Sequence, residues 1–190
     1  MAAGMLRRAL RQGLEADVLL ADAWFGTKTM IATALDLNLT AILRMKKNAM
    51  KYRLRTWNNG SAHTELLDAN GLYQTSVRKH WQRLSGLPYR CQCLDVELSL
   101  ESDGEEQWIP VRLLFVRGVS QDADSPAGAK SWALFLSTDR SLSPAAILEI
   151  DALRWSIEVY FNEAKQYLGL LWEQTETFAS HLASICARCG

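Results

Sequence analysis

Arg154, Glu158 and Lys165 are the residues whose types and spacing best suit a chemical role. The segment Asp151 to Leu170 reads as one helix, and at about 100° per residue these three charges fall within roughly 40° of one line. Leu153, Ile157, Tyr160, Ala164, Leu168 and Leu171 repeat at the spacing of a core-facing stripe. The charged line is therefore expected along the border of a buried stripe. A carboxylate held between two cations at the edge of a core suits metal and phosphate chemistry.

A second acid, Asp22, closes the short apolar run that begins at Asp17. Such a run suits a buried, parallel strand, and ligands of α/β sheets gather at the carboxyl ends of their strands. An Asp leaving a strand can equally be a turn or cap residue. The segment Met1 to Leu14 reads as an amphipathic helix with Leu6, Leu10 and Leu14 four apart. Gly26 turns the chain after Asp22, Thr27 is a plausible N-cap for a helix through Leu37, and Asn38 can end it. Leu39 to Arg44 reads as the next strand. Helix, strand, helix and strand in succession indicate an α/β unit.

The middle of the chain changes character. Gly71 to Val77, Tyr89 to Leu100, Trp108 to Gly118 and Ser131 to Ser137 read as strands, and the acidic stretch Glu101 to Glu106 reads as a hairpin turn. Ser120 to Lys130 reads as a loop. Ser143 and Pro144 then mark a new helix start. The expected organisation is a partial α/β segment over 1–60, a β-rich insertion over 61–140 and a helical segment over 141–190.

Formal net charge is zero, so electropositive surface must be local. Thr40 to Gly60 holds six cations and no acid: Arg44, Lys46, Lys47, Lys51, Arg53 and Arg55. Asp95 to Gln107 holds six acids. The basic segment could track a nucleic-acid backbone, with Trp57 or Trp81 stacking on an unpaired base. It could equally be a solvated surface balanced by the acidic hairpin. Trp24 and Trp155 flank the two acids and read as packing residues.

With 48% hydrophobic residues the chain can support a core. It has no apolar run of about 18 residues or more, so no membrane helix is expected. Cys91, Cys93, Cys186 and Cys189 have spacing that could make a four-thiolate zinc site, but a strand pair and a terminal pair are more simply reduced thiols.

Taken together, the residues resemble the bacterial insertion-sequence transposases of the DDE type, and in particular the family-four group with its Y-x2-R-x3-E-x6-K signature. Arg154, Glu158 and Lys165 keep that spacing, within Leu-Arg-Trp-Ser-Ile-Glu-Val-Tyr-Phe, and Leu168-Gly-Leu170 also matches. Ala21-Asp22-Ala-Trp-Phe25 resembles the segment carrying the second catalytic aspartate, and Ser137-Thr-Asp139 resembles a stretch before the final helices. Asp151 stands where the signature has its tyrosine.

The resemblance implies a mixed α/β chain: a partial RNase H-like core lacking its first strands, a β-rich insertion and a C-terminal catalytic helix. It implies Asp22 and Glu158 as catalytic metal ligands for two Mg²⁺ (or Mn²⁺) ions. Arg154 and Lys165 would contact phosphates, and Lys46, Lys47, Lys51 and Arg53 would bind DNA. The implied partners are transposon ends and target DNA, with a homodimer in the DNA complex, no membrane and a bacterial cytoplasm. The family's first aspartate lies upstream of its second, and no strand precedes Asp22 here, so the chain reads as a fragment shortened at both ends and inactive alone. The alternative is a non-catalytic DNA-binding or regulatory remnant.

Overall fold

The computed structural model describes residues 2–58, 60–78, 80–102, 104–118 and 132–168. They fall into two compact units divided between Leu148 and Glu149. The first is built on one mixed sheet in the order β1-β2-β8-β7-β6-β3-β4. Its strands are β1 (Val18–Ala21), β2 (Thr40–Met45), β3 (Lys51–Asn58), β4 (Ser61–Asp68), β5 (Gln82–Arg83), β6 (Tyr89–Ser102), β7 (Glu105–Gly118) and β8 (Ala133–Ser137). β5 pairs with β6 off the main path.

β1 and β2 run parallel, with Ala21 opposite Leu43, as the helix–strand–helix–strand pattern predicts. Between them lies α2 (Lys28–Asp36). Thr27 caps it, its hydroxyl accepting the Met30 N–H at 3.2 Å. At the other end Asn38 takes φ +56°, while Leu39 N–H donates to Ala34 C=O and Asn38 N–H to Leu35 C=O. That is the paired closure of a Schellman motif, and Asn tolerates the left-handed conformation better than most residues. Met30, Ile31, Thr33 and Ala34 of α2 are buried. All four residues of β1 are only partly buried, against the expectation of a buried strand, because among the described strands β1 stands at the sheet's edge and pairs with β2 alone. The first helix, α1 (Ala2–Arg11), is shorter than expected; Leu6 and Leu10 pack on the core, while Leu14 lies past its end and is exposed.

The β6–β7 hairpin is the longest pairing, from Tyr89 opposite Gly118 to Ser102 opposite Glu105. Gly104 at φ +79° supplies the turn that the acidic stretch predicts. β8 bridges β7 and β2, so strands on both sides of residue 60 share one sheet. A second hairpin, β3–β4, turns at Gly60 (φ +80°). Its alternation buries Tyr52 and Leu54 and leaves Lys51 and Arg55 outside. The core joins Ile31, Leu43, Tyr52, Leu98, Leu113, Leu134 and Leu136. Each such side chain contributes about 1.5–3 kcal/mol by burial.

Gly71 to Val77, expected as a strand, is helical. α3 (Ala69–Leu72) runs into a π-helical turn over Tyr73–Val77. The Asp68 carboxylate caps it by accepting the Gly71 N–H at 2.8 Å. Ala69, Leu72, Tyr73 and Val77 are buried at helical spacing, and that burial outweighs their strand-like composition.

The second unit departs from the single helix expected over Asp151 to Leu170. α4 (Pro144–Ala152) runs across the division and ends, and α5 (Trp155–Leu168) follows after a turn at Leu153 and Arg154. Tight bonds to the third residue back, Leu153 N–H to Ile150 C=O and Arg154 N–H to Asp151 C=O, close the first helix. The expected core stripe is not buried at its start: Leu153, Ile157 and Tyr160 are about 60% exposed, and Ala164 further along is buried. Leu171 and the expected loop Ser120 to Lys130 lie outside the described residues.

Candidate active site

Asp22 sits one residue past β1, at the carboxyl end of the parallel pair. Its carboxylate Oδ1 accepts the Trp24 N–H at 2.9 Å, and its carbonyl accepts the Phe25 N–H at 3.1 Å. This closes a tight turn and holds the exposed acid in place. Gly26 anchors that turn. A Cβ there would lie 2.6 Å from the Arg44 carbonyl oxygen and 3.0 Å from Met45 Sδ, so only glycine lets the loop pass this close to β2.

Around this end stand cations. Arg44 is exposed on β2, and Lys46 places its ammonium 4.0 Å over the Trp24 ring. Lys47 lies 4.0 Å over the buried Trp132, and burial, with Arg44 nearby, lowers its pKa. Farther along the sheet the cations are met by acids. Lys51 pairs with Asp68 at 3.3 Å, Arg53 and Arg55 share Glu97, and Arg53 also lies 4.0 Å over Trp108. The Arg53 hydrogen bond holds the Glu97 carboxyl below its usual range. The Gly71 N–H, with Lys51, does the same for Asp68. Thus Lys46 joins Asp22 at the strand end, while Lys51 and Arg53 sit in ion pairs on another part of the sheet.

In the second unit Arg154 occupies the turn before α5 and is largely buried. Its Nη1 donates to Glu158 Oε1 at 3.0 Å, and its Nε lies 3.7 Å from Asp151 Oδ1. The residue in the signature's tyrosine position therefore supplies a second carboxylate beside this guanidinium. Glu158, about half exposed, lies in the first turn of α5, where the helix N-terminus also favours a negative charge. Lys165 lies seven residues on in the same helix.

The donor chemistry suits a hard divalent cation, since carboxylate oxygens are the ligands Mg²⁺ and Mn²⁺ prefer. The number is short, for among the described residues no three His, Cys, Asp or Glu side chains gather closely enough to hold a metal. Cys91 is buried and Cys93 half-buried; burial raises both thiols, Cys93 to about 11, and Cys186 and Cys189 lie outside the described residues. No described helix is long and apolar enough to cross a membrane.

Two residues at the Asp22 end escape a reading by charge alone. Trp24, read from sequence as packing, is 73% exposed, and Gly26 is a structural seat as well as a turn former. The signal for Trp24 is its position in a loop at a strand's carboxyl end, where side chains face ligands more often than cores.

No curated protein matches the chain. A family model described as the transposase DDE domain matches residues 1–190. The chain belongs to that family, which implies phosphoryl transfer on DNA in transposition, generally with divalent metal ions, on a fold consistent with RNase H-like architecture.

Proposed function

We propose that Asp22 and Glu158 are two carboxylates of a metal-dependent site that cleaves transposon ends and joins them to target DNA. The observation that carries this reading is Asp22, exposed and locked in a turn at the carboxyl end of the β1–β2 pair. Arg154 positions Glu158 through their 3.0 Å bond. Arg154 and Lys165 contact phosphate near the scissile bond, and Lys46, Lys47, Lys51 and Arg53 extend the DNA contact. For Lys51 and Arg53 this means exchanging a protein carboxylate for a phosphate. Two Mg²⁺ or Mn²⁺ ions, when bound, activate the attacking oxygen and stabilise the leaving one. The Arg154–Glu158–Lys165 spacing supports the family-four group, and a homodimer on DNA in the bacterial cytoplasm fits the same reading.

Two carboxylates hold a pair of ions poorly, so the chain by itself is expected neither to cleave nor to join DNA. Binding is the informative readout. On this reading Mg²⁺ tightens binding to an oligonucleotide, and Asp22→Ala or Glu158→Gln abolishes the gain. The ion pairs that occupy Lys51, Arg53 and Arg55, and the lack of a three-acid cluster among the described residues, favour a second reading as a non-catalytic DNA-binding remnant. That reading expects steeply salt-dependent binding indifferent to Mg²⁺ and to Asp22→Ala. Binding of the second kind would overturn the catalytic assignment, as would Asp22-independent strand transfer.

A further inference from the structure

We infer that Trp24 stacks on an unpaired DNA base beside the phosphate handled at Asp22, while Lys46 contacts the adjoining phosphate. The inference rests on the strand-end site proposed above and adds a DNA-contacting side chain to it.

The parallel pairing sets the geometry. Ala21 lies opposite Leu43, so the segments that follow, Asp22 to Gly26 and Arg44 to Lys47, emerge at the same end of the sheet. The Trp24 backbone N–H donates to Asp22 Oδ1, which ties the tryptophan's main chain and the carboxylate into one turn. The close approach of Gly26 to the Arg44 carbonyl seats that turn on β2. The Trp24 main chain therefore cannot move far without the acid.

A tryptophan is a large apolar surface, and leaving it in water forfeits much of what its burial would contribute. Trp24 is 73% exposed and Phe25 beside it 43% exposed, although the core lies one strand away. The Lys46 ammonium sits 4.0 Å from the ring centroid and fixes one face of the indole by a cation–π contact. The opposite face is left to a ligand. A flat aromatic face with an ammonium group beside it is complementary to a base carrying a phosphate, and an uncharged apolar partner would waste Lys46. A base inside a duplex already has neighbours on both faces. Only an unpaired or terminal base offers a face to Trp24.

The test uses the whole chain in EDTA and oligonucleotides carrying 2-aminopurine, either single-stranded or within a duplex. The wild-type chain is expected to quench the probe on the single strand. Trp24→Ala should remove the quench and raise the single-strand Kd about 5- to 150-fold, the range for loss of one stacked base, with duplex affinity unchanged within about 2-fold. Trp24→Phe should restore part of the quench. Lys46→Gln should keep it and flatten the salt dependence by roughly one phosphate contact. Thermal midpoints of the variants check that the fold is intact. Wild-type quench and affinity in Trp24→Ala would overturn the inference, as would equal losses on single strand and duplex. Because no metal is present, these outcomes are separate from failure of the Asp22–Glu158 metal reading, which the Mg²⁺-dependent binding detects.

Discussion

The two acids are held by different means. Asp22 is fixed by main chain: its carboxylate and carbonyl both accept backbone N–H groups, and Gly26 packs the turn directly against the β2 backbone. Glu158 is fixed by a side chain, the Arg154 guanidinium, on a helix whose neighbouring apolar residues Ile157 and Tyr160 are exposed. A carboxylate set by backbone packing is preorganised at the cost of tolerating few changes nearby. One set by a half-exposed ion pair can swing, and is easily altered without harm to the fold.

The contrast can be broken first through the packing behind each acid. Leu43, fully buried opposite Ala21, should cost about 2–5 kcal/mol when cut to alanine. Ile157→Ala, at an exposed position beside Glu158, should stay within about 0.5 kcal/mol. Denaturant midpoints at constant slope decide this, and comparable losses would erase the distinction. A smaller effect sharpens it. Gly26→Ala must displace the turn from the Arg44 carbonyl, which should cost about 1–3 kcal/mol and weaken any Asp22-dependent DNA or metal binding along with stability. A Gly26→Ala chain of wild-type stability would show that the turn is not seated as described.

Legibility in the sequence follows the same division. Features written in local chemistry were readable: the Thr27 cap, the Asn38 stop, the parallel β1–β2 pair and the turn at Gly104 all appear where residue types predict them. The β3–β4 hairpin is hidden by charge, because Lys51 to Arg55 read as a charge run. The alternation of Tyr52 and Leu54 with those cations, before Asn59-Gly60, is the strand-and-turn signal that would have exposed it. Tyr73 to Val77 misled through composition, since aromatic and β-branched residues favour strands until helical burial outweighs that preference. The helix over Asp151 to Leu170 was read by periodicity, which carries no information about a break made by tight backbone bonds at Leu153 and Arg154 without glycine or proline. The candidate acids themselves came from their order and spacing, and the mode of holding each became visible only with the backbone in place.

We propose above that Asp22 and Glu158 act on one metal centre. Loading the DNA-bound chain with Fe²⁺ and generating hydroxyl radicals cuts the polypeptide near the ion, so the cut positions locate it. The account predicts cuts near both Asp22 and Glu158, with Asp22→Asn and Glu158→Gln each abolishing both sets. Cuts at one acid alone, or variants that each remove only their own cuts, would contradict a shared centre.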